Sequence, residues 1–366
     1  MILAALGLAL ILIVLGDAFV TIVLPKTVSR SVRPTQLFFD TWSSVSTAIA
    51  TRLNPLRREA FLGYVWPLST IVLIALWAIT LIFGFALIQF GLDTPLSSVE
   101  RGFGTDLYMS AATFLTLGYG DVTATTAFGR TVSMAEAGMG FGFLALVIGY
   151  LPVYYQAFSA RERTALLLDA RAGAPPMSGE LLRFQGNDLT GLRDLFAEFE
   201  RWSASLLEGF LSYPVLAYYR SQHAQLSWLA CLTCVTDACA FVLAAYPEGT
   251  DEERALKKQA AVTFAISRHL AVDLAYVLGV EPVKCDTPRI DRAEFELLCR
   301  EVESRGIALA PCTASCDKLA DYAGQYEPYF KGLAKHLMLE IPAWMPADER
   351  LASWQTSAWA GTTGHF

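Results

Sequence analysis

The hexapeptide Thr116-Leu117-Gly118-Tyr119-Gly120-Asp121 has residue types suited to holding a cation with backbone oxygens. Glycine accepts conformations that are closed to other residues, so glycines on both sides of a tyrosine let consecutive carbonyl groups point the same way. A ladder of such carbonyls can replace the hydration shell of a potassium ion. The Thr116 hydroxyl would add the innermost ring of oxygens, and Tyr119 would brace the strand from behind.

The elements around this hexapeptide indicate where it lies. Three segments are long and apolar enough to span a bilayer core of about 30 Å as helices, namely Met1–Leu24, Trp66–Phe90 and Thr131–Phe158. The stretch from Asp106 to Leu115 is too short to cross, yet it lies between two of these spans. Non-helical backbone at membrane depth is tolerated only where protein buries it or where it lines a watery cavity. A short helix followed by a Gly-Tyr-Gly strand therefore predicts a re-entrant pore loop.

Composition separates the chain into two parts. The 366 residues are 54% hydrophobic and 17% charged, which is typical of a membrane protein. Residues 1–159 carry 8 basic and 8 acidic side chains, and the remaining 20 basic and 27 acidic ones give the net charge of −7. We interpret the first part as the membrane part and the second as water-facing. The acidic balance argues against nucleic acid as a partner.

Loop charges predict the orientation, because basic loops stay in the cytoplasm. The stretch between the first two spans is rich in arginine, as is the chain after the third span, whereas the pore-loop region is mostly acidic. The N-terminus is therefore expected outside and the C-terminal half in the cytosol. Within the first basic loop, Phe38, Trp42, Val45, Ile49 and Leu53 recur at helical spacing. They predict an amphipathic helix, lying either at the membrane interface or against the cytosolic domain.

The hexapeptide, the short helix before it and the long span after it resemble the potassium channel family, whose filter has the pattern Thr-x-Gly-Tyr-Gly-Asp. The resemblance covers about residues 60–160. It implies potassium ions bound at Thr116, Leu117, Gly118 and Tyr119, passive conduction without an enzymatic activity, and no cofactor besides the permeant ion. One filter loop per chain implies a homotetramer, since a ring of carbonyls needs about four loops. The first span carries no regular arginine series, so a voltage sensor is not supported.

The resemblance also identifies residues for gating. Gly140 matches the glycine where inner helices of the family bend, and Pro152 removes a backbone donor near the cytoplasmic end of that helix. We therefore predict that both take part in gating. Gly140→Ala is expected to lower the open probability without changing selectivity.

Departures from the family pattern indicate how the filter is supported. Tyr108 stands where many members have a tryptophan, and Ala112 replaces a common acidic residue, so Asp121 lacks its familiar partner. A charge inside a span is costly and usually functional, which draws attention to Glu136. We hypothesise that Glu136 contacts the pore helix, through Thr113 or Ser110, and braces the filter. Pairing with a neighbouring chain, or reaching the outer interface, is the alternative.

The C-terminal half predicts a bundle of helices, among them His223–Tyr246 and Ser315–Ile341, after a linker or turn at "RAGAPPMSGELL". No nucleotide-binding fingerprint is visible, so any regulatory ligand is unknown. Cys231 and Cys234 form a CxxC, which could bind zinc only with a second ligand pair. Buried free thiols are the favoured interpretation. His269 and Asp273, one helical turn apart, form either a pH-sensitive or a plain surface pair.

These observations predict an all-α membrane protein with three transmembrane helices, a re-entrant pore helix and filter, and a helical cytosolic domain. The expected domains are an N-terminal transmembrane helix (1–25), a cytoplasmic loop (26–65), a pore domain (66–158) and the cytosolic domain (159–366). The leading functional prediction is a potassium-selective channel in contact with membrane lipid. A membrane-anchored sensor or thiol-redox protein, and a weakly selective cation channel, are the alternatives.

Overall fold

The computed structural model describes residues 1–22, 33–100, 102–185, 187–223, 225–284 and 287–346. Within these ranges the regular structure is helical, as predicted, and the only strand-like pairing is a single antiparallel bridge between Leu96 and Ala124. The chain divides into two compact units, Met1–Gln156 and Ala157–Phe366.

Five helices begin in the first unit. They are α1 (Ile2–Ile22), α2 (Pro34–Ala50), α3 (Pro55–Gly91), α4 (Phe103–Phe114) and α5 (Ala127–Ala172). Both α3 and α5 extend beyond their predicted spans, because polar and charged residues at a helix end lower hydropathy without stopping the helix. The Asn54 side chain accepts a hydrogen bond from the Arg57 N–H, which caps α3 twelve residues before the apolar run begins at Trp66.

Close backbone contact joins α1 to α3. A Cβ atom at Gly7 would lie 2.3 Å from the Gly84 carbonyl oxygen, so only glycine fits there. Around this contact, apolar side chains of α1, α3 and α4 form one core, made of Ile11, Val14, Ala18, Leu73, Trp77, Leu81, Phe85 and Phe114. The N-terminal helix is thus an integral part of the unit that contains the pore helix.

A buried acid fastens the amphipathic helix α2 to this core. Asp17 of α1 is 4% exposed, and its Oδ2 atom accepts hydrogen bonds from the Thr35 N–H of α2 (3.1 Å) and the Trp77 indole N–H of α3 (3.2 Å). The Thr35 hydroxyl donates to the same oxygen. Phe38 and Phe39 also pack on the shared core, whereas Val45 and Ile49 are exposed. Helix α2 therefore packs on α1 and α3 and leaves part of its apolar face uncovered.

The described part of the second unit contains the end of α5 and seven further helices. They are α6 (Ser178–Gln185), α7 (Leu189–Ser212), α8 (Trp228–Ala245), α9 (Asp251–Leu278), α10 (Arg292–Glu303), α11 (Cys312–Ala323) and α12 (Glu327–Leu337), with a 3₁₀ helix at Pro214–Tyr218. Five described helices, α1, α3, α5, α8 and α9, are long and apolar enough to cross a membrane. Of the 18 residues of α8, 94% are buried by protein, so protein rather than lipid can account for its apolar composition.

Three sequence predictions for this unit need correction. Ser315–Ile341 is two helices, because the chain breaks at Gly324–Tyr326 and Pro328 in the first turn of α12 lacks an N–H to continue a preceding helix. The "RAGAPPMSGELL" stretch includes the start of α6, so it is only partly a turn. Helix α8 begins at Trp228 rather than His223, since the Ser227 side chain caps it by accepting from the Ala230 N–H.

Candidate functional site

Helix α4, at the position of the predicted pore helix, ends in a defined turn that starts the segment Thr116–Asp121, named the filter after its predicted role. Past the cap residue Leu115, Thr116 has φ of +56°, its N–H donates to the Thr113 carbonyl (3.0 Å), and the Leu117 N–H donates to the Ala112 carbonyl (2.9 Å). This pair of bonds is a Schellman motif with Thr116 in the left-handed position. A β-branched residue is uncommon in that conformation, so Thr116 is held there by its surroundings rather than by its own preference.

The filter backbone alternates in handedness beyond this turn. Positive φ values recur at Thr116 (+56°), Gly118 (+59°) and Gly120 (+77°), while Leu117 and Tyr119 keep negative φ. A chain that alternates between left- and right-handed conformations turns its N–H groups toward one side and its carbonyls toward the other. The two glycines stand where the alternation requires φ values that other residues adopt only at a cost. All six residues from Thr116 to Asp121 are exposed in the single chain.

Asp121 at the outer end of the filter has a partner that the sequence did not reveal. The Tyr108 hydroxyl of the pore helix donates to Asp121 Oδ2 at 2.8 Å, and the Val122 N–H donates to Oδ1 at 3.0 Å. Alanine at position 112 indeed leaves Asp121 without the familiar acidic partner, and Tyr108, one of the residues predicted to support the filter, contacts it instead. Tyr108, which replaces a common tryptophan, supplies the hydrogen bond and links pore helix to filter.

The chain on either side of the pore loop is tied together. The Ser97 N–H donates to the Thr123 carbonyl, and the Thr125 N–H donates to the Pro95 carbonyl, both at 2.9 Å. The Thr123 N–H also donates to Ser97 Oγ at 2.9 Å. These bonds hold the segment after the filter against the segment that follows α3, so the filter is anchored at both ends.

Glu136 of α5 lies behind the pore helix. Its side chain is fully buried, and its Oε1 atom contacts the Ser110 hydroxyl of α4. Thr113, the other hypothesised partner, instead donates to the Met109 carbonyl of its own helix (2.8 Å). Ser110 Oγ also lies 2.7 Å from the Ile82 carbonyl oxygen of α3. Ser110 thus joins α3, α4 and Glu136 at one point.

The Ser110 hydroxyl has a single proton and two acceptors within reach, so it can donate to only one of them. If it donates to the Ile82 carbonyl, the Glu136 head group must supply the proton of the second hydrogen bond. A neutral carboxyl or an amide at position 136 can do so, whereas an alanine cannot. When Ser110 donates to Ile82, the contact with Glu136 therefore depends on a donor at the end of the residue-136 side chain.

Gly140 of α5 lies against the end of the pore helix. A Cβ atom at this position would be 1.9 Å from the Phe114 carbonyl oxygen, whereas a Cβ at Gly138 or Gly142 would meet nothing within 4 Å in the single chain. Helix α5 runs without interruption through Gly140 and Pro152. The glycine at 140 is thus required for close packing on α4, independently of any bend.

The candidate thiols and histidine of the second unit do not converge on one site. Cys231, Cys234 and Cys239 lie buried on α8, and burial raises the pKa of the Cys231 and Cys239 thiols. Cys312 and Cys316 lie on α11, and Cys285 is outside the described residues. Among the described residues, no group of three or more His, Cys, Asp and Glu side chains is arranged to hold a metal. His269 and Asp273 form an exposed pair (3.3 Å) on α9.

Asp17 of α1 was not among the predicted residues, although it carries the same sequence signal as Glu136. Both are acids within apolar, membrane-length helices, where a charged side chain is costly. The same rule applied to every span, and not only to the span beside the filter, would have identified Asp17. Its Oδ2 atom accepts three hydrogen bonds.

Comparison with known proteins finds a family similarity for part of the chain. Residues 70–157 match the family model described as an ion channel. The match begins in α3 and ends in α5, so it contains α4 and the predicted filter, and it covers about a quarter of the chain. It confirms the resemblance to channel pores, and this part of the membrane protein is an ion-channel domain. No curated protein and no solved structure matches the chain.

Proposed function

We propose that the protein is a potassium-selective channel that conducts passively as a homotetramer. The observation that carries this proposal is the Thr-Leu-Gly-Tyr-Gly-Asp segment, whose backbone alternates in handedness directly after a pore helix. Carbonyl oxygens on one side of such a strand suit an ion that has lost its water. The ordered ends of the loop, at Thr116 and at Asp121, keep that strand in place.

Exposed surfaces of the single chain support assembly. Helix α5 leaves large apolar side chains uncovered, with Met134 at 76%, Phe141 at 69% and Ile148 at 64% exposed. One filter strand supplies oxygens on only one side of an ion, and four strands around an axis complete the coordination. We assign the uncovered α5 surface to contacts with neighbouring chains and with lipid. In this arrangement the N-terminus lies outside and the second unit in the cytosol, where it regulates the pore.

A flux experiment tests the proposal. Purified full-length protein in liposomes loaded with potassium chloride should support potassium efflux and exclude sodium, because the Gly-Tyr-Gly carbonyls fit the larger dehydrated ion. Empty liposomes provide the background. Flux without discrimination between the two ions would indicate a weakly selective cation channel. Absence of flux would favour a membrane-anchored sensor or thiol-redox protein with a pore-like anchor.

We also propose that Glu136 braces the filter through Ser110. Glu136→Gln should keep most of the potassium flux, because the amide can donate to Ser110 while Ser110 donates to Ile82. Glu136→Ala leaves the Ser110 site without this partner, at a cost of roughly 1–3 kcal/mol, and should shorten openings. Single-channel recordings of both variants measure open times and selectivity.

Ser110→Ala is the matched control, since it removes the same hydrogen bond from the other side. It should shorten openings as Glu136→Ala does, and combining the two should add little. Openings of Glu136→Ala that are as long and selective as those of the unmodified channel would contradict the bracing role.

A further inference from the structure

A cleft of about 410 Å³ lies within the second unit, between the last part of α5 and helix α7. Its lining includes positions 157, 160 and 164 of α5 and 198, 201, 205 and 209 of α7. Their spacing by three or four residues places each set on a single helix face. The volume is in the range of small-molecule sites.

Small residues keep this cleft open. Gly209 is buried in α7, yet a Cβ atom added there would meet nothing within 4 Å, so that face of the glycine points into the empty space. Ala157, Ala160 and Ser205 form the facing walls. Glycine inside a helix costs about 1 kcal/mol relative to alanine. A larger residue at position 209 would fill this space and would also stabilise the helix. Glycine therefore keeps the cleft open at some cost in helix stability.

The floor of the cleft is apolar and largely buried. Phe158, Trp202, Leu206, Phe210 and Leu216 line it and are each at most 9% exposed. Trp202 is fixed further because its indole N–H donates to the Arg161 carbonyl at 3.2 Å. An apolar ligand body placed here would displace water from a surface that does not need to rearrange.

Arg161 also lines the cleft, but its charge is already used within the protein. Its guanidinium is 3% exposed, forms an ion pair with Glu162 (3.0 Å), and donates to the Leu216 carbonyl (2.9 Å) and the Tyr219 carbonyl (3.0 Å). Arg161 therefore holds the chain at 216–219 against α5 and shapes the cleft, leaving ligand recognition to other residues.

Charges of both signs remain at the opening. Arg163 and Arg201 are exposed, Glu198 is half-buried, and none of the three forms an ion pair or a side-chain hydrogen bond within the described part of the chain. Glu208, the other acid of the cleft, accepts a hydrogen bond from the Ser212 hydroxyl at 3.0 Å. Two available guanidinium groups and one available carboxylate would complement a ligand that carries an acidic and a basic group.

We propose that this cleft binds a small zwitterion with an apolar body, of the chemical class of the apolar α-amino acids. The acidic group lies toward Arg163 and Arg201, the basic group toward Glu198, and the apolar body on Trp202 and Phe210. Because the cleft includes α5, the ligand contacts the helix whose earlier part follows the filter. Its role as a regulator of ion flux rests on the proposed function, but its binding does not.

Equilibrium dialysis tests binding directly, with full-length protein in lipid nanodiscs and empty nanodiscs as background. Radiolabelled L-tryptophan is the probe, and unlabelled tryptamine and indole-3-propionate, each lacking one charged group, are competitors. Tryptophan should bind at least about threefold more tightly than either analogue, as expected for solvent-exposed charge pairs. Binding that does not saturate above the background, or equal affinity for the three compounds, would overturn the proposal.

Variants locate the site. Gly209→Leu should abolish saturable binding by filling the cleft, whereas Ala204→Leu, at an exposed position of the same helix outside the cleft, should not. The Arg163→Gln/Arg201→Gln variant should remove the advantage over tryptamine, and Glu198→Gln the advantage over indole-3-propionate. Thermal unfolding checks that each variant is folded. Undiminished binding by folded Gly209→Leu would place the ligand elsewhere.

A zwitterionic lipid headgroup has the same chemistry as the soluble ligand, and nanodisc composition separates the two sources. If phosphatidylethanolamine occupies the cleft, tryptophan binding should be weaker in nanodiscs of that lipid than in nanodiscs of phosphatidylglycerol. Equal binding in both would assign the cleft to a soluble zwitterion. Because none of these measurements uses ion flux, a failure here is distinguishable from a failure of the channel proposal.

Discussion

Gly118→Ala is expected to abolish potassium conduction or the preference for potassium over sodium, while the chain still assembles. Gly118 has φ of +59°, and a residue with a side chain pays about 1–2 kcal/mol to hold that conformation. The alternation of handedness would relax, and the carbonyls around position 118 would no longer share one direction. If four chains form the pore, four copies of the altered residue surround each ion at that level.

The measurement is the potassium-to-sodium permeability ratio from reversal potentials in planar bilayers, with size-exclusion chromatography to confirm assembly. Gly104→Ala is the matched control, because Gly104 lies in the pore helix with ordinary φ and open space at its Cβ position. That control should conduct normally. An unchanged permeability ratio for Gly118→Ala would refute the assignment of residues 116–121 as the filter.

Gly140→Ala is the second substitution with a large expected effect. Sequence alone predicts a lower open probability with unchanged selectivity, because Gly140 matches a hinge position. The structure changes the selectivity part of this expectation, since the new Cβ would lie 1.9 Å from the Phe114 carbonyl oxygen. Either α5 or the end of α4 must move, and overpacking of this kind typically costs 1–3 kcal/mol. The filter begins two residues after Phe114, so selectivity should fall together with open probability.

Single-channel recordings in mixed potassium and sodium solutions distinguish the hinge interpretation of Gly140 from the packing interpretation. Gly104→Ala is again the control, because its Cβ position is open and it lies outside the α5 surface assigned to neighbouring chains. A drop in open probability alone would identify Gly140 as a hinge and show that the contact with Phe114 adapts. If Gly140→Ala opens and selects normally, Gly140 is neither a hinge nor a required packing contact. Pro152 is then the remaining candidate for gating.

The architecture of the first unit was largely predictable, because apolar runs of membrane length and the Gly-Tyr-Gly pattern depend on local sequence. The contact between Glu136 and Ser110 was also anticipated, since a buried acid needs a polar partner and few were available nearby. The choice of Ser110 over Thr113 was not predictable. Both hydroxyls lie on α4, and only the packing of α4 on α3 and α5 shows which one faces the acid.

Other features depend on tertiary structure that no local pattern reveals. The bond from Tyr108 to Asp121 joins residues 13 positions apart across the filter turn.

The division of Ser315–Ile341 into two helices was predictable in principle, from Gly324 followed by Pro328, but the apolar periodicity on both sides concealed it. The cleft beside Gly209 was not readable at all, because a glycine in a helix sequence does not indicate whether its missing side chain leaves space or avoids a clash.

The hydrogen bonds from α2 and α3 to Asp17 determine the rotation of α2 about its own axis. Pro34 at the first position of α2 has no N–H, and the next N–H, that of Thr35, is satisfied by a residue 18 positions earlier in the chain. A helix held at its first turn in this way cannot rotate freely, so the same bond that fixes Thr35 determines that Val45 and Ile49 point outward. The side of the amphipathic helix offered to its surroundings is thus specified by α1, outside the sequence of the helix itself.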